Sequence, residues 1–327
     1  MATQSEEHPT ASDLVKSYAP FIKGKVILVT GVSPNSLGAA FVNAITVSQP
    51  AHVILAGRNT ERTQQTCDQL KASSPDVNVS VLYLDLSSLA AVREAAQEVM
   101  SWTHVPHIDV LVNSAAVMAT DWKVSKDGYE SQFAINHLGP FLFTNLIMEK
   151  LLASSAPRIV TVSSDCHRLG GIRFHDFNFH DGMSYNRWQA YGQAKTANAL
   201  MALSFSEKLG QNNRLLSLSL HPGVINTNLF THLGAAEIEE MRALDRTMGN
   251  PHGWASTWTT LTPDEGVSTY VYAAFDPNLT SYNGAYLERC SPADPNTTTL
   301  RSWATSSVEA EMLWKLSEKL VGQTFSY

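Results

Sequence analysis

Tyr191 and Lys195 stand four residues apart in the segment SYNRWQAYGQAKTANALMALSFSEKL. Apolar residues recur there with helical spacing, at Ala194, Ala197, Leu200, Met201, Leu203 and Leu209, so the pair opens a predicted helix. Residues at i and i+4 project from one helix face a turn apart. An ammonium beside a phenol favours the phenolate and draws the tyrosine pKa down from about 10 toward working pH. Tyr191 is thereby a candidate general acid or base. Among ten tyrosines only Tyr191 has a lysine four residues on. Ordinary lysine usage supplies one such pair by chance, and a half-exposed tyrosine beside a solvated lysine is the plain alternative. The pair gains meaning only from the elements that hold it.

Those elements alternate. Asp13 is placed to cap a short helix through Tyr18, ended by Pro20. Strand-like runs follow at 25–30, 52–57, 79–86, 109–116, 158–164 and 214–223, with a last one at 284–288. Helix-like segments lie between them at 39–49, 61–73, 87–102 (capped by Ser87 or Ser88), 131–154 and from Tyr191 onward. The first run, KVILVT, is continuously apolar and β-branched, as strands buried on both faces are. Such alternation predicts right-handed βαβ units and the α/β class, with a doubly wound parallel sheet of the Rossmann type. Residues 1–23 read as an N-terminal extension and 24–327 as one domain.

The 327 residues suffice for a large core, and 44% apolar with 16% charged residues excludes a disordered chain. A net charge of −7 argues against a nucleic-acid partner. Cys67, Cys166 and Cys290 are odd in number and far apart, which suits a reducing compartment and no disulfide framework. His167, His175 and His180 are badly spaced for one helix face and have no cysteine pair beside them, so no metal site is expected. The polar start MATQSEEHPTASD resembles no signal or transit peptide, and no run of 18 apolar residues occurs. A cytoplasmic protein without a membrane span is the expectation.

The loop TGVSPNSLG follows the first strand, where a dinucleotide fold seats a pyrophosphate at a helix N-terminus. Gly31 suits the tight turn and Gly38 close helix packing, while Asn35 tolerates positive φ. An ordinary βα loop would have the same look. At the end of the second strand the chain reads Ala56-Gly57-Arg58-Asn59. No carboxylate stands there to grip a ribose, and Arg58 is suited to a 2′-phosphate, so NADP(H) is favoured over NAD(H). A surface arginine opening a helix is the alternative.

Together these segments resemble the short-chain dehydrogenase/reductase family. TGVSPNSLG at 30–38 is similar to its glycine-rich loop with one residue inserted, Asp85 in YLDL to its aspartate near the adenine, and NSAA at 113–116 to its NNAG. Asn136 in INHLGPFLFT, Ser164 in RIVTVSS, and Tyr191 with Lys195 match its catalytic tetrad, and HPGVINT at 221–227 its Pro-Gly motif. The register holds from about residue 24 to 290. The departures are Ser36 for the loop's middle glycine, and Ser114 and Ala116 in NSAA. NHLGPFLFT, DCHRLGG and HPGVINT resemble the retinol-dehydrogenase-like branch, and GAYLERC and WATSSVEAEMLWKLSEKLVG its fungal oxidoreductases, several of them from secondary metabolism. Many retinol dehydrogenases carry an N-terminal membrane anchor that this sequence does not show.

The resemblance implies a carbonyl–alcohol interconversion with NADP(H). Its cofactor contacts carry over to Gly31, Ser33, Ser36, Leu37, Gly38, Arg58, Asp85, Leu86, Asn113, Ala115, Tyr191, Lys195, Pro222, Gly223, Val224 and Thr227. Tyr191 would exchange a proton with the substrate oxygen and Ser164 would hydrogen-bond that oxygen. Lys195 would lower the Tyr191 pKa and hold the nicotinamide ribose. Asn136 would hold a water that relays protons to Lys195. The family dimerises through the helices around Asn136 and Tyr191, though monomers occur, so a homodimer is one implied assembly.

In the family, residues 228–262 would form a variable lid. Here they include Leu229, Phe230, Leu233, Met241, Met248, Trp254 and Trp258, with breaks in MGNPHGWAS, and Trp188 precedes Tyr191 by three. An apolar, aromatic lid fits a hydrophobic or aromatic carbonyl substrate; a helix pair that only packs is the alternative. The segment 307–321 predicts a helix for core packing or a subunit contact. Two other functions compete. A nucleotide-sugar epimerase or dehydratase also uses Tyr-x-x-x-Lys, but the chain after residue 230 is short for its sugar-nucleotide domain. A non-catalytic NADP(H) sensor is the other, and such proteins often lose the Tyr or Lys retained here.

Overall fold

In the computed structural model the described residues are 9–250, 254, 260–294, 296 and 300–327, the side chains of 211–213 excepted. Helix α1 (Ala11–Ser17) and a single turn, α2 (Ala19–Ile22), precede β1 (Val26–Thr30). Then come α3 (Leu37–Thr46), β2 (His52–Gly57), α4 (Thr60–Ser73), β3 (Asn78–Tyr83), α5 (Leu89–Ser101) and β4 (Val110–Asn113). The next helical stretch runs through α6 (Ser131–Phe133), a π-helical turn (Ala134–Leu138), α7 (Gly139–Leu146) and α8 (Met148–Leu152) to β5 (Arg158–Val162). The long helix α9 (Arg187–Asn213), β6 (Leu216–His221) and α10 (Ala235–Thr247) follow. The chain closes with α11 (Pro263–Gly266), α12 (Ser268–Phe275), β7 (Tyr286–Glu288), β8 (Ser291–Pro292) and α13 (Ser307–Val321).

The eight strands form one sheet in the order β3-β2-β1-β4-β5-β6-β7-β8, parallel except for the β7–β8 pair. Each central strand divides its side chains between two apolar layers. Val26 and Leu28 pack with α5, α7, α9 and α13 on one face, while Ile27 and Val29 pack with α1, α3, α4 and α12 on the other. This double burial is why the strands read as unbroken apolar runs. The strand order reverses between β1 and β4, so their carboxyl ends splay apart and open a crevice.

Several boundaries differ from expectation. Thr10 caps α1: its Oγ1 accepts from the Asp13 amide, so Asp13 is inside the first turn. Strand β3 stops at Tyr83, leaving Asp85 and Leu86 in the connection to α5, which Ser88 caps. Helix α9 begins at Arg187, four residues before Tyr191, because the Asn186 side chain accepts from the Trp188 and Gln189 amides. Strand β8 escaped notice because it has two residues and follows a turn of Arg289 and Cys290, both at positive φ, in place of the usual Asn-Gly. Trp258 and most of 251–259 lie outside the described residues. Among the described residues no helix is long and apolar enough to cross a membrane, and no group of three or more His, Cys, Asp or Glu is placed to hold a metal ion.

Candidate active site

Beyond the carboxyl ends of β1, β4, β5 and β6 lies a cavity of about 540 Å³. One end is built by the loop after β1. Gly31 has φ +77°, and a Cβ there would stand 2.6 Å from the Ala115 Cα, so only glycine lets this turn meet the strand-end at β4. Thr30 Oγ1 completes the joint by accepting from the Ser114 and Ala115 amides at 3.1 and 3.0 Å. NSAA therefore contributes mainly backbone here, which is how it accommodates Ser114 and Ala116. Asn35 does take positive φ, 64°. Ser36, at the position of the family's middle glycine, caps α3: its Oγ accepts from the Ala39 amide at 3.1 Å and donates to the Gly31 carbonyl at 2.8 Å. The α3 N-terminus is thereby anchored facing the cavity, a ready seat for an anion.

Ser33, Ser36, Leu37 and Arg58 line this end, as the sequence suggests, and Arg62 joins them. Arg62 was missed, although Arg58 and Arg62 are four apart at the opening of α4 and the spacing was there to see. The only acid among the described lining residues is Asp165, which belongs to the far end beside Ser164. A glycine-rich turn, a helix N-terminus and two guanidinium groups fit a phosphorylated dinucleotide.

The far end is held between β5 and α9. Gly192 follows Tyr191 directly, and a Cβ on it would lie 2.9 Å from the Cys166 carbonyl. The turn 165–169, which begins after Ser164, can pack against α9 only because of that missing side chain. Polar stitches fix the pairing. Ser163 Oγ donates to the Lys195 carbonyl at 2.7 Å, and Lys195 Nζ and Asn198 Nδ2 both donate to the Val162 carbonyl, at 2.9 and 3.0 Å. Ser164, Tyr191 and Lys195 all line the cavity, with the Ser164 hydroxyl near enough to the Tyr191 phenol to bear on its acidity. Pro222, Gly223, Val224 and Thr227 also line the cavity, joined by His221, whose Nδ1 accepts from the Asp165 amide at 3.2 Å.

The electrostatics differ from the simple Tyr–Lys picture. Burial raises the Tyr191 pKa well above 10, the neighbouring Cys166 adds to the rise, and the Ser164 hydroxyl only partly offsets them. Lys195 sits with Nζ 5.5 Å from the Tyr191 ring centroid, bonded to a carbonyl, and its charge does not offset the burial of the phenol. Burial instead lowers Lys195 itself to about 8, because a desolvated ammonium loses its proton more readily. Burial likewise pushes Cys166 up to about 12, so this thiol in the cavity wall stays protonated.

Five sequence candidates stand behind the wall. Gly38 serves close packing, since a Cβ there would meet the Gly31 carbonyl at 2.6 Å. Asp85 accepts from the Ser87 amide and hydroxyl at 3.1 and 2.6 Å and from Lys126 Nζ at 3.2 Å. Leu86 is core. Asn113 donates to Thr144 Oγ1 at 3.1 Å. Asn136 lies in the π-helical turn and clamps Val117, accepting from its amide and donating to its carbonyl, both at 2.9 Å. The residue four on from Asn136 is Pro140, which has no N–H to give an α-helical bond to the Asn136 carbonyl.

The substrate end is apolar. Met118, Leu229, Phe230, Met241, Trp254 and Trp188 face it, and they belong to one hydrophobic cluster. Met118 and Val117 were not anticipated; Asn136 holds the Val117 backbone through both its amide and its carbonyl and so fixes this stretch of the cavity wall. Tyr270 arrives from α12, its hydroxyl 3.1 Å from Ser114 Oγ, and nothing local in the sequence marks it.

A family model described as short chain dehydrogenase matches residues 25–177. The chain is 35% identical over 306 residues to Short-chain dehydrogenase TIC 32 A, chloroplastic, of Brassica napus, covering 90% of this chain and 88% of that one. It is 34% identical over 309 residues to Retinol dehydrogenase 14 of Mus musculus, covering 91% and 86%. Among solved structures, an uncharacterised protein from Mycobacterium paratuberculosis has TM-score 0.71 and 28% identity, with 98% of this chain and 100% of that chain covered. The chain belongs to the short-chain dehydrogenase/reductase family of oxidoreductases, in its retinol-dehydrogenase-like branch.

Proposed function

We propose that this protein is an NADP(H)-dependent oxidoreductase that interconverts a carbonyl and an alcohol on a hydrophobic or aromatic small molecule. The observation that carries the reading is one continuous cavity with Arg58 and Arg62 at one end and Ser164, Tyr191 and Lys195 at the other, under an apolar lid. The cofactor's nicotinamide would supply or accept the hydride. The protein's side chains bind, orient and handle the proton. Ser164 donates a hydrogen bond to the substrate oxygen as charge builds there. Tyr191, kept protonated by burial, delivers its phenolic proton to that oxygen in reduction. The Lys195 ammonium, 5.5 Å from the ring centroid, stabilises the phenolate that remains.

Asn136 contributes differently from the simple relay. Its side chain is committed to Val117 and so shapes the cavity wall. Its carbonyl, deprived of an α-helical partner by Pro140, is the acceptor proposed to hold the water that returns a proton toward Lys195. The C-terminal segments' likeness to fungal enzymes supports a secondary metabolite as substrate, and the absence of a spanning helix among the described residues is compatible with a cytoplasmic location.

The test is Tyr191→Phe. It removes only the hydroxyl, so NADPH consumption with aryl ketones and aldehydes is expected to fall by about 10²–10⁴, with NADPH affinity within about twofold. Full turnover in that variant would sink the mechanism.

A further inference from the structure

Outside the proposed catalytic residues, a buried polar cluster joins the turn after Ser164 to the lid. Arg168 and Asp245 are each 1% exposed. Arg168 Nε and Nη2 donate to Asp245 Oδ1 and Oδ2 at 2.8 and 2.6 Å, a two-pronged bond. Asp245 also accepts from Asn250 Nδ2 at 2.5 Å and from the Trp254 amide at 3.2 Å. The Arg168 guanidinium lies over the Trp254 indole, 4.2 Å from its centroid. The indole N–H donates to Asp165 Oδ2 at 2.9 Å, and Asp165 follows Ser164 in the chain. Trp254 is thus held at its face, its edge and its backbone, and it is a wall of the substrate cavity.

Helix α10 repeats the pattern. Glu237, Met241 and Asp245 fall on one face at successive turns. The Glu237 carbonyl accepts from Trp188 Nε1 of α9 at 2.8 Å, Asp245 takes Arg168, and Met241 between them faces the cavity. Two polar anchors, the buried Arg168–Asp245 pair and the part-buried Trp188–Glu237 bond, therefore flank the α10 side chain that faces the cavity. An apolar lid alone would settle in several packings. A bidentate ion pair has one geometry.

We propose that Arg168 and Asp245 are positioning residues for substrate specificity: by locking Trp254 and Met241 in the cavity wall they set the size and shape of the apolar, aryl-accepting half of the cavity. Neither touches the reacting atoms, and both act through Trp254. This rests on the carbonyl–alcohol reading of the site.

Removing one partner alone strands a buried charge and risks unfolding the chain, so the variant to use is Arg168→Met with Asp245→Leu, an apolar pair of similar bulk. In the full-length, NADPH-loaded protein, KM for bulky aryl ketones is expected to rise about tenfold or more, with the ranking among ketones of different size flattened and NADPH affinity within about twofold. Trp254→Phe should shift KM in the same direction. Aryl ketones that bind and turn over alike in wild type and the folded double variant overturn the positioning role and leave the enzymatic reading intact. A wild type that neither binds nor reduces any aryl ketone sinks the substrate reading instead. The lock is then still read by acrylamide quenching of Trp254 emission, with the Trp254→Phe signal subtracted. Shielding in wild type that is lost in the double variant supports the lock; equal quenching in both overturns it.

Discussion

The Tyr191–Lys195 pair shows how a spacing can be right while its electrostatic reading changes. Helix geometry puts both on one face, but tertiary burial decides the protonation states, since desolvation outweighs a charge engaged by the Val162 carbonyl. The phenol is held in its acid form, which suits delivery of a proton. Lys195 is the group that titrates near working pH. Its charge is present below about 8 and is lost as pH rises through that value, so kcat/KM for reduction should decline on the alkaline side with an apparent pKa near 8, measurable as NADPH oxidation from pH 6 to 10. An alkaline limb unchanged in Lys195→Met would sink that assignment. At the other end of the cavity, Arg58 and Arg62 are proposed to grip the 2′-phosphate. Losing two charge-assisted pairs, each about 1.5–3 kcal/mol, should raise the NADPH Kd about 100-fold or more in Arg58→Ala/Arg62→Ala and leave NADH nearly untouched. Parallel losses for both cofactors would remove the case for NADP(H) selectivity.

At the scale of elements, close approaches of backbone to backbone position the site. Gly31 meets Ala115 and Gly192 meets the turn after Ser164, so each glycine joins two elements that are distant in sequence. Gly31→Ala would add both a left-handed φ penalty and a clash with backbone that cannot swing away, costing about 1–3 kcal/mol. The expected result is a lower Tm together with weaker NADPH binding, measured by thermal melts with and without NADPH; a variant that melts and binds like wild type would show that the joint is pliable. The segment 131–154 taught a different lesson. Its apolar periodicity reads as one helix, and it forms as α6, a π-helical turn, α7 and α8. Pro140 was visible as a breaker, but the π turn that turns Asn136 onto Val117 depends on packing that periodicity cannot report.

The whole molecule decides what covers α9 and the π-helical turn. Helix α13 lies against α9 and the π-helical turn: Trp314 packs edge-on to Phe141 and Phe205 at 4.9 and 5.3 Å, and His137 Nε2 is 2.8 Å from Ser317 Oγ. Lys208 pairs with Glu311 at 2.7 Å. Ala310, Leu313, Trp314 and Val321 are all buried by this docking, at about 1.5–3 kcal/mol for each large side chain. With its own C-terminal helix covering that surface, the chain is expected to elute as a monomer in size-exclusion chromatography with light scattering. A stable dimer through α7 and α9 would require α13 to be displaced, and observing one would show that the covering is not permanent.

Sequence patterning by itself determined the βα alternation, the strand cores and the glycine-rich turn, because these depend on local period and on backbone rules that act over a few residues. It also brought Tyr191, Lys195 and Arg58 into view as candidates, and the family resemblance added Ser164. Only the tertiary structure decided which candidates reach the cavity: Asp85 is taken up by Ser87 and Lys126, and Asn113 by Thr144. The same holds for Met118, Tyr270 and the Arg168–Asp245 lock, whose members come from elements far apart in the chain. Protonation and wall shape follow from burial and from partners met across the fold, and neither quantity is carried by the residues adjacent in sequence.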